Sequence, residues 1–229
     1  MTDRPPPVRI DDLAEPEFSD EARAILDFMR DAGSQLTLDP AALMDGARVE
    51  TGLDDFGTAD FVPRLELLCR AMTDEGGFNA AGIFQQHTLI AGLLKNRLLI
   101  EDLIARHPEI LDEEIKAPIV ICGLPRTGTT HLHNLISADP ALRSLPYWES
   151  LEPVLAESER PAAGEPDPRR ERTALALSFL DVAMPYFNRM HEMTVDHTHE
   201  EIQLLAIDFS SMLLETTAPM PAWRDAYRA

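Results

Sequence analysis

Between Pro118 and Thr130 the chain reads PIVICGLPRTGTT, an apolar and largely β-branched run that passes through Gly123 into a turn of Gly, Pro and Thr. The run Ile119–Cys122 reads as one buried strand, and Leu132, Leu135 and Ile136 mark one face of a helix ending at Asp139-Pro140. This order of strand, turn and helix constrains the fold more than any other feature. A strand buried on both faces belongs to a parallel sheet, and a parallel sheet needs several such strands. Only 119–122 and a weaker Leu142–Leu145 qualify. The expectation is an α/β fold with a helix-rich N-terminal half and a sheet left incomplete in this chain.

The residues before the strand read as helices. Ser19 caps a helix with Ala22, Ile25, Leu26 and Met29 on its apolar face, ending near Gly33. Asp39-Pro40 opens a second, running out at Thr51-Gly52. A third occupies about 60–74, and Asn79 opens a long fourth that ends with Arg106, His107 and Pro108. Beyond the turn, residues 157–170 (ESERPAAGEPDPRR) read as a mobile loop, followed by a helix near 170–183 that Pro185 breaks. Thr198 and Glu201 form a capping box before Ile202, Leu205, Ala206, Phe209 and Leu213, the face of one more helix. The division expected is a helical region, 1–116, and the N-terminal part of an α/β domain, 117–229.

Charge narrows the partners. Forty Asp and Glu against twenty Lys and Arg give a net charge of −20 over 229 residues. Such a field argues against a general nucleic-acid or anionic-membrane binder, so an anionic ligand needs a local pocket of backbone amides and arginines. Two cysteines, Cys69 and Cys122, provide neither a disulfide framework nor a CxxC knuckle, which fits a cytoplasmic location. No apolar stretch approaches the ~18–20 residues of a membrane-spanning helix.

A glycine-bearing turn between strand and helix is where successive amides and a helix N-terminus cradle an anion. Gly123 and Gly128 have the spacing of a phosphate-binding loop, GxxxxGK[ST], but Thr129 stands where that loop has lysine. Arg126 supplies a cation from inside the loop instead. This suits a donor that needs no magnesium better than it suits a nucleoside triphosphate. An ordinary turn and a degenerate NTPase loop, with Leu204–Asp208 as its magnesium-binding segment, stay open at this point. Against the second, the capping box makes that segment helical.

PIVICGLPRTGTT resembles the 5′-phosphosulfate loop of the P-loop sulfotransferases, which take a sulfuryl group from 3′-phosphoadenosine 5′-phosphosulfate (PAPS). The likeness is to the bacterial branch and, in the Pro-Arg-Thr-Gly-Thr-Thr core, to tyrosylprotein sulfotransferases. It continues through ADPALRSLPYWESLEPV, DPRR at 167–170, HTHEEIQLL at 197–205 and the upstream NRLLIEDLIARHPEI. The resemblance implies a parallel sheet with helices and a PAPS site at Gly123, Arg126, Thr127, Gly128, Thr129 and Thr130. Arg126 would contact the phosphosulfate and its bridging oxygen, and the amides of Thr127 to Thr130, with two threonine hydroxyls, would hold the 5′-phosphate. Glu149 is the implied base for the acceptor hydroxyl, which would belong to a small molecule, lipid or glycan. No metal is implied. The family's Arg…Ser element for the 3′-phosphate has no match, so the resemblance leads us to expect a chain that stops partway through the domain. A non-catalytic fragment or helical interaction module is the alternative that this leaves.

His191, His197 and His199, with Glu192, Glu200 and Glu201, suggest a metal cluster, but their spacing fits no zinc pattern and a solvated turn accounts for them. Glu200 and Glu201 are the next candidate bases; His131 and His133 follow the loop in the first helical turns, where packing in the core or at the surface is the expected fate and facing the ligand the alternative for one of them.

Overall fold

Ser19, Asp39 and Asn79 each cap the helix the sequence assigns to them. Their side chains accept from the amides of Ala22, Ala42 and Gly82 at 3.1, 2.8 and 3.0 Å. The computed structural model describes residues 6–12, 14–124 and 126–229. Most of the N-terminal segment's first residues, and Pro125 of the turn, lie outside the described residues. The four N-terminal helices are α1 (Asp20–Gly33), α2 (Pro40–Thr51), α3 (Val62–Asp74) and α4 (Ala80–Arg106). Helix α4 is 27 residues long, about 40 Å at the usual rise per residue, and α1 and α2 both pack along it. Gly33 makes the α1 approach possible, since a Cβ there would stand 1.9 Å from the Ala80 carbonyl oxygen.

The C-terminal half holds α5 (Thr129–Ser137), α6 (Tyr147–Leu151), α7 (Pro168–Ala183), α8 (Phe187–Met190), α9 (Ile202–Ala206), α10 (Met212–Glu215) and α11 (Pro221–Tyr227), all but α7 under ten residues long. Their apolar side chains do not make a separate core. Ala206, Ile207, Phe209, Leu214, Met220 and Trp223 join the cluster built by Leu43, Phe61, Leu65, Leu68, Ile90, Leu94 and Leu98 from the N-terminal helices. A buried arginine pins the two halves. Arg97 donates to the carbonyls of Phe56 and Thr58 at 2.7 and 3.2 Å and to Asp208 at 3.0 Å, with its guanidinium 4.2 Å over the Phe61 ring. Asp208 also takes Arg64 at 2.6 Å.

Three expectations are corrected. First, Ile119–Cys122 is not a strand, and among the described residues the only β-pairing is an isolated bridge between Pro146 and Thr198. The expected parallel sheet is therefore not seen among the described residues, and neither is the weak strand at 142–145. The reason is that a parallel strand satisfies its backbone only through neighbours, and no neighbour stands beside it. Val120 is 80% exposed and Leu135, on the expected apolar face of α5, is 59% exposed. Second, the helix expected from Ile202 to Leu213 is two, α9 and α10, because Phe209 adopts a left-handed φ of 53° and the buried Ser211 hydroxyl donates to the Ile202 carbonyl at 2.7 Å. Third, the capping box is not made: Thr198 Oγ1 lies 3.1 Å from Ser137 Oγ, and no side chain caps α9. In the 157–170 segment a short 3-10 turn, Glu157–Glu159, precedes α7, whose cap is Asp167.

Candidate active site

The loop between Gly123 and Thr130 is built from backbone that few residues tolerate. Gly128 holds a φ of 97° as the residue before α5, a conformation that costs glycine nothing. At Gly123 a Cβ would come within 2.8 Å of the Thr129 methyl. Arg126 holds a φ of 64° without being glycine, which stores strain of about 1 kcal/mol or more. Thr127 closes the turn by donating from Oγ1 to the Leu124 carbonyl at 2.6 Å. No side chain caps α5, so the amides of its first turn are left for a ligand or water, and they carry the positive end of the helix dipole.

These residues border a cleft of about 390 Å³. Arg126, Gly128, Thr129, Thr130, His131 and Asn134 form one side, and Met190, His191, Glu192 and His197 the other. Arg126 bridges the two sides by donating to the Met190 carbonyl at 3.3 Å. Gly123 and Thr127 shape the loop from behind and do not line the cleft. His131 lines it and His133 does not.

The far side is fixed by the chain around α6. The amides of Tyr147, Trp148 and His199 donate to the carbonyls of His197, Val195 and Leu145 at 2.8, 3.2 and 2.7 Å. Burial, helped by the neighbouring imidazoles of His191 and His133, lowers the His197 pKa below 6.5 against the opposing pull of Glu192 and Glu200. His199 is lowered as well, chiefly by burial, and lies 2.7 Å from Gln203 Oε1. Among the described residues no group of three or more His, Cys, Asp or Glu side chains is arranged to hold a metal ion. Asp208, the magnesium ligand of the NTPase reading, is instead taken by Arg64 and Arg97.

Glu149 stands apart from this cleft. It lies on α6 in an ion pair with Arg143, next to Trp148, whose ring is covered by the Arg169 guanidinium at 4.6 Å. Glu200 and Glu201 do not line the cleft either. Residue spacing alone does not bring the far wall together; its signal in the sequence is the histidine-rich HEMTVDHTHEE, which by itself reads as a solvated turn.

Comparison with known proteins agrees with the loop. Residues 118–228 match the profile of the Sulfotransferase family. The structure of sulfotransferase STF1 from Mycobacterium tuberculosis H37Rv is 31% identical with a TM-score of 0.62, over 82% of this chain and 51% of that one. Sulfotransferase STF9 from Mycobacterium avium is similar in fold, with a TM-score of 0.69 at 23% identity over 82% of this chain and 48% of that one. A search of curated proteins returns no match. Through residues 118–228 the chain is similar to the sulfotransferase family. It spans about half the length of the solved structures it matches.

Proposed function

We propose that the chain transfers a sulfuryl group from PAPS to a hydroxyl oxygen at the cleft between the 123–130 loop and the histidine segment. The observation that carries this reading is the loop side of the cleft. Arg126 and the uncapped start of α5 offer a fixed cation, free amides and two threonine hydroxyls around one cavity. The residues fit the donor, since Gly123 lies where a side chain would crowd Thr129 and the cradle is closed by backbone.

When bound, PAPS supplies an activated sulfuryl group on a phosphate leaving group. Arg126 neutralises charge on the phosphosulfate through a planar fork suited to its oxygens. The amides of Thr129 and Thr130 hold the 5′-phosphate, and preorganised donors of this kind are worth about 3–4 kcal/mol each where charge develops. Glu149 is the base the resemblance implies, but it does not line the cleft and is held by Arg143, so in this reading it takes the acceptor's proton only after Arg143 releases it and the α6 segment moves toward the loop. Transfer of a sulfuryl group needs no metal, which suits a loop with threonine in place of lysine.

Calorimetry with PAPS, or with adenosine 3′,5′-bisphosphate, tests the reading. Arg126→Ala is expected to weaken donor binding and slow transfer together, Arg126→Lys to restore part of both, and EDTA to change neither. Metal-dependent ATP binding that ignores Arg126 would overturn the reading in favour of the NTPase loop. A complete lack of nucleotide binding would favour the interaction module.

A further inference from the structure

Five rings stand in a row behind and along the far wall of the cleft. From Phe187 through His191, His197 and His199 to Tyr147, successive centroids are 6.3, 5.5, 6.2 and 4.8 Å apart, within the range in which aromatic rings attract through offset or edge-to-face contact. His191 and His197 are the two that line the cleft, opposite Arg126 and Thr130. The others hold them: Phe187 backs His191, while His199 is buried and fixed through Gln203 and the Leu145 carbonyl.

The donor side uses none of these rings, and one of them has an unmet group. His191 Nδ1 is buried without a hydrogen-bond partner. An unmet lone pair is cheaper to bury than an unmet N–H, so the proton belongs on Nε2, the nitrogen left to meet a ligand as a donor. Burial keeps His197 neutral at pH 7, so it has a lone pair with which to accept.

The wall also sets what kind of molecule fits. Among the described residues Met190 is the one aliphatic side chain that lines the cleft, which gives an extended alkyl or steroid body no surface to bury. Ring faces favour another ring. Glu192 on the wall and Glu200 close to His197 repel a carboxylate and favour an ammonium group, in the same sense as the net charge of −20.

We infer that the His191–His197 wall is the acceptor subsite and that it takes a neutral or cationic phenol, its hydroxyl hydrogen-bonded between the two imidazoles and facing the loop. The inference rests on the sulfuryl-transfer reading, but its test does not need the donor. The ring C–H signals of the full chain's seven histidines are followed by NMR without nucleotide, assigned with His191→Gln and His197→Gln. Three probes are compared: tyramine, its anionic counterpart 4-hydroxyphenylacetate, and the non-aromatic 2-cyclohexylethylamine. Tyramine is expected to move the His191 and His197 signals saturably, to leave those of His87 and His107 in place, and to bind about fivefold tighter than either other probe. In turnover, His197→Gln raises the acceptor KM and leaves donor affinity unchanged. Signals of His191 and His197 that stay still, or equal binding of all three probes, would overturn the subsite even if adenosine 3′,5′-bisphosphate binds normally. Failure of nucleotide binding with the tyramine shifts intact would instead sink the transfer reading alone.

Discussion

Arg126 combines a charge that the proposed chemistry requires with a backbone conformation that its Cβ opposes. The two can be separated by substitution. Arg126→Gly removes the guanidinium and relieves the left-handed strain, so it is expected to abolish donor binding while holding or raising the melting temperature, by an amount corresponding to about 1 kcal/mol. Differential scanning calorimetry beside a binding isotherm checks both halves, and a fall in both would mean that the arginine is structural. Glu149 poses a different question, because Arg143 already occupies its carboxylate. Glu149→Gln keeps the shape and removes the base, and is expected to slow single-turnover transfer by about 10²–10⁴-fold with donor affinity unchanged. A variant that transfers at the parental rate would pass the proton to the histidine wall.

At the scale of elements, local signals were legible and partnered ones were not. Caps at Ser19, Asp39 and Asn79 and the 3.6-residue period are written in neighbouring residues, so α1 to α4 could be read to within a residue or two. The run Ile119–Cys122 has the composition of a strand, but composition does not provide the ladder that makes one. The break between α9 and α10 depends on Phe209 packing against Phe61, 6.0 Å between ring centroids and some 150 positions earlier in the sequence. The loop half of the site was legible for the same reason as the caps. The wall half forms only when residues 195–199 bond to 145–148. The unpaired segment leaves Ile119, Val120 and Leu124 exposed, and Leu132 and Leu135 are exposed on α5, apolar surface of the kind that binds hydrophobic dyes. The native protein is expected to enhance ANS fluorescence at neutral pH. Val120→Lys with Leu135→Lys is expected to remove most of that signal without lowering the melting temperature, since neither side chain is buried; unchanged fluorescence would place the dye elsewhere.

For the whole molecule, acid is the weak direction. His87, His197 and His199 all titrate below the ordinary 6.5 in the folded chain, chiefly through burial. The unfolded chain therefore binds more protons than the folded one below that pH, and stability falls as the solution is acidified through 6.5. Asp167 and Asp196 are held below the usual carboxylate range, first of all by hydrogen bonds from Arg169 and Arg170, which extends the loss to lower pH. Thermal melts from pH 8 to pH 5 should be flat above about 7 and decline below it, with a shallower decline in His199→Asn. A melting temperature that rises on acidification would contradict these environments.

The shared core also has a consequence in time. Leu65, Leu68 and Phe61 are buried against a cluster that includes Phe209, Leu214 and Trp223, so the N-terminal helices cannot finish packing until the last of these has been synthesised. At the usual elongation rate of about 5–20 residues per second, the interval between the arrival of α3 and α11 at the peptidyl-transferase centre is on the order of ten seconds. During that time the face of α3 that α11 will cover, and Arg97 without Asp208, wait uncovered on a nascent chain.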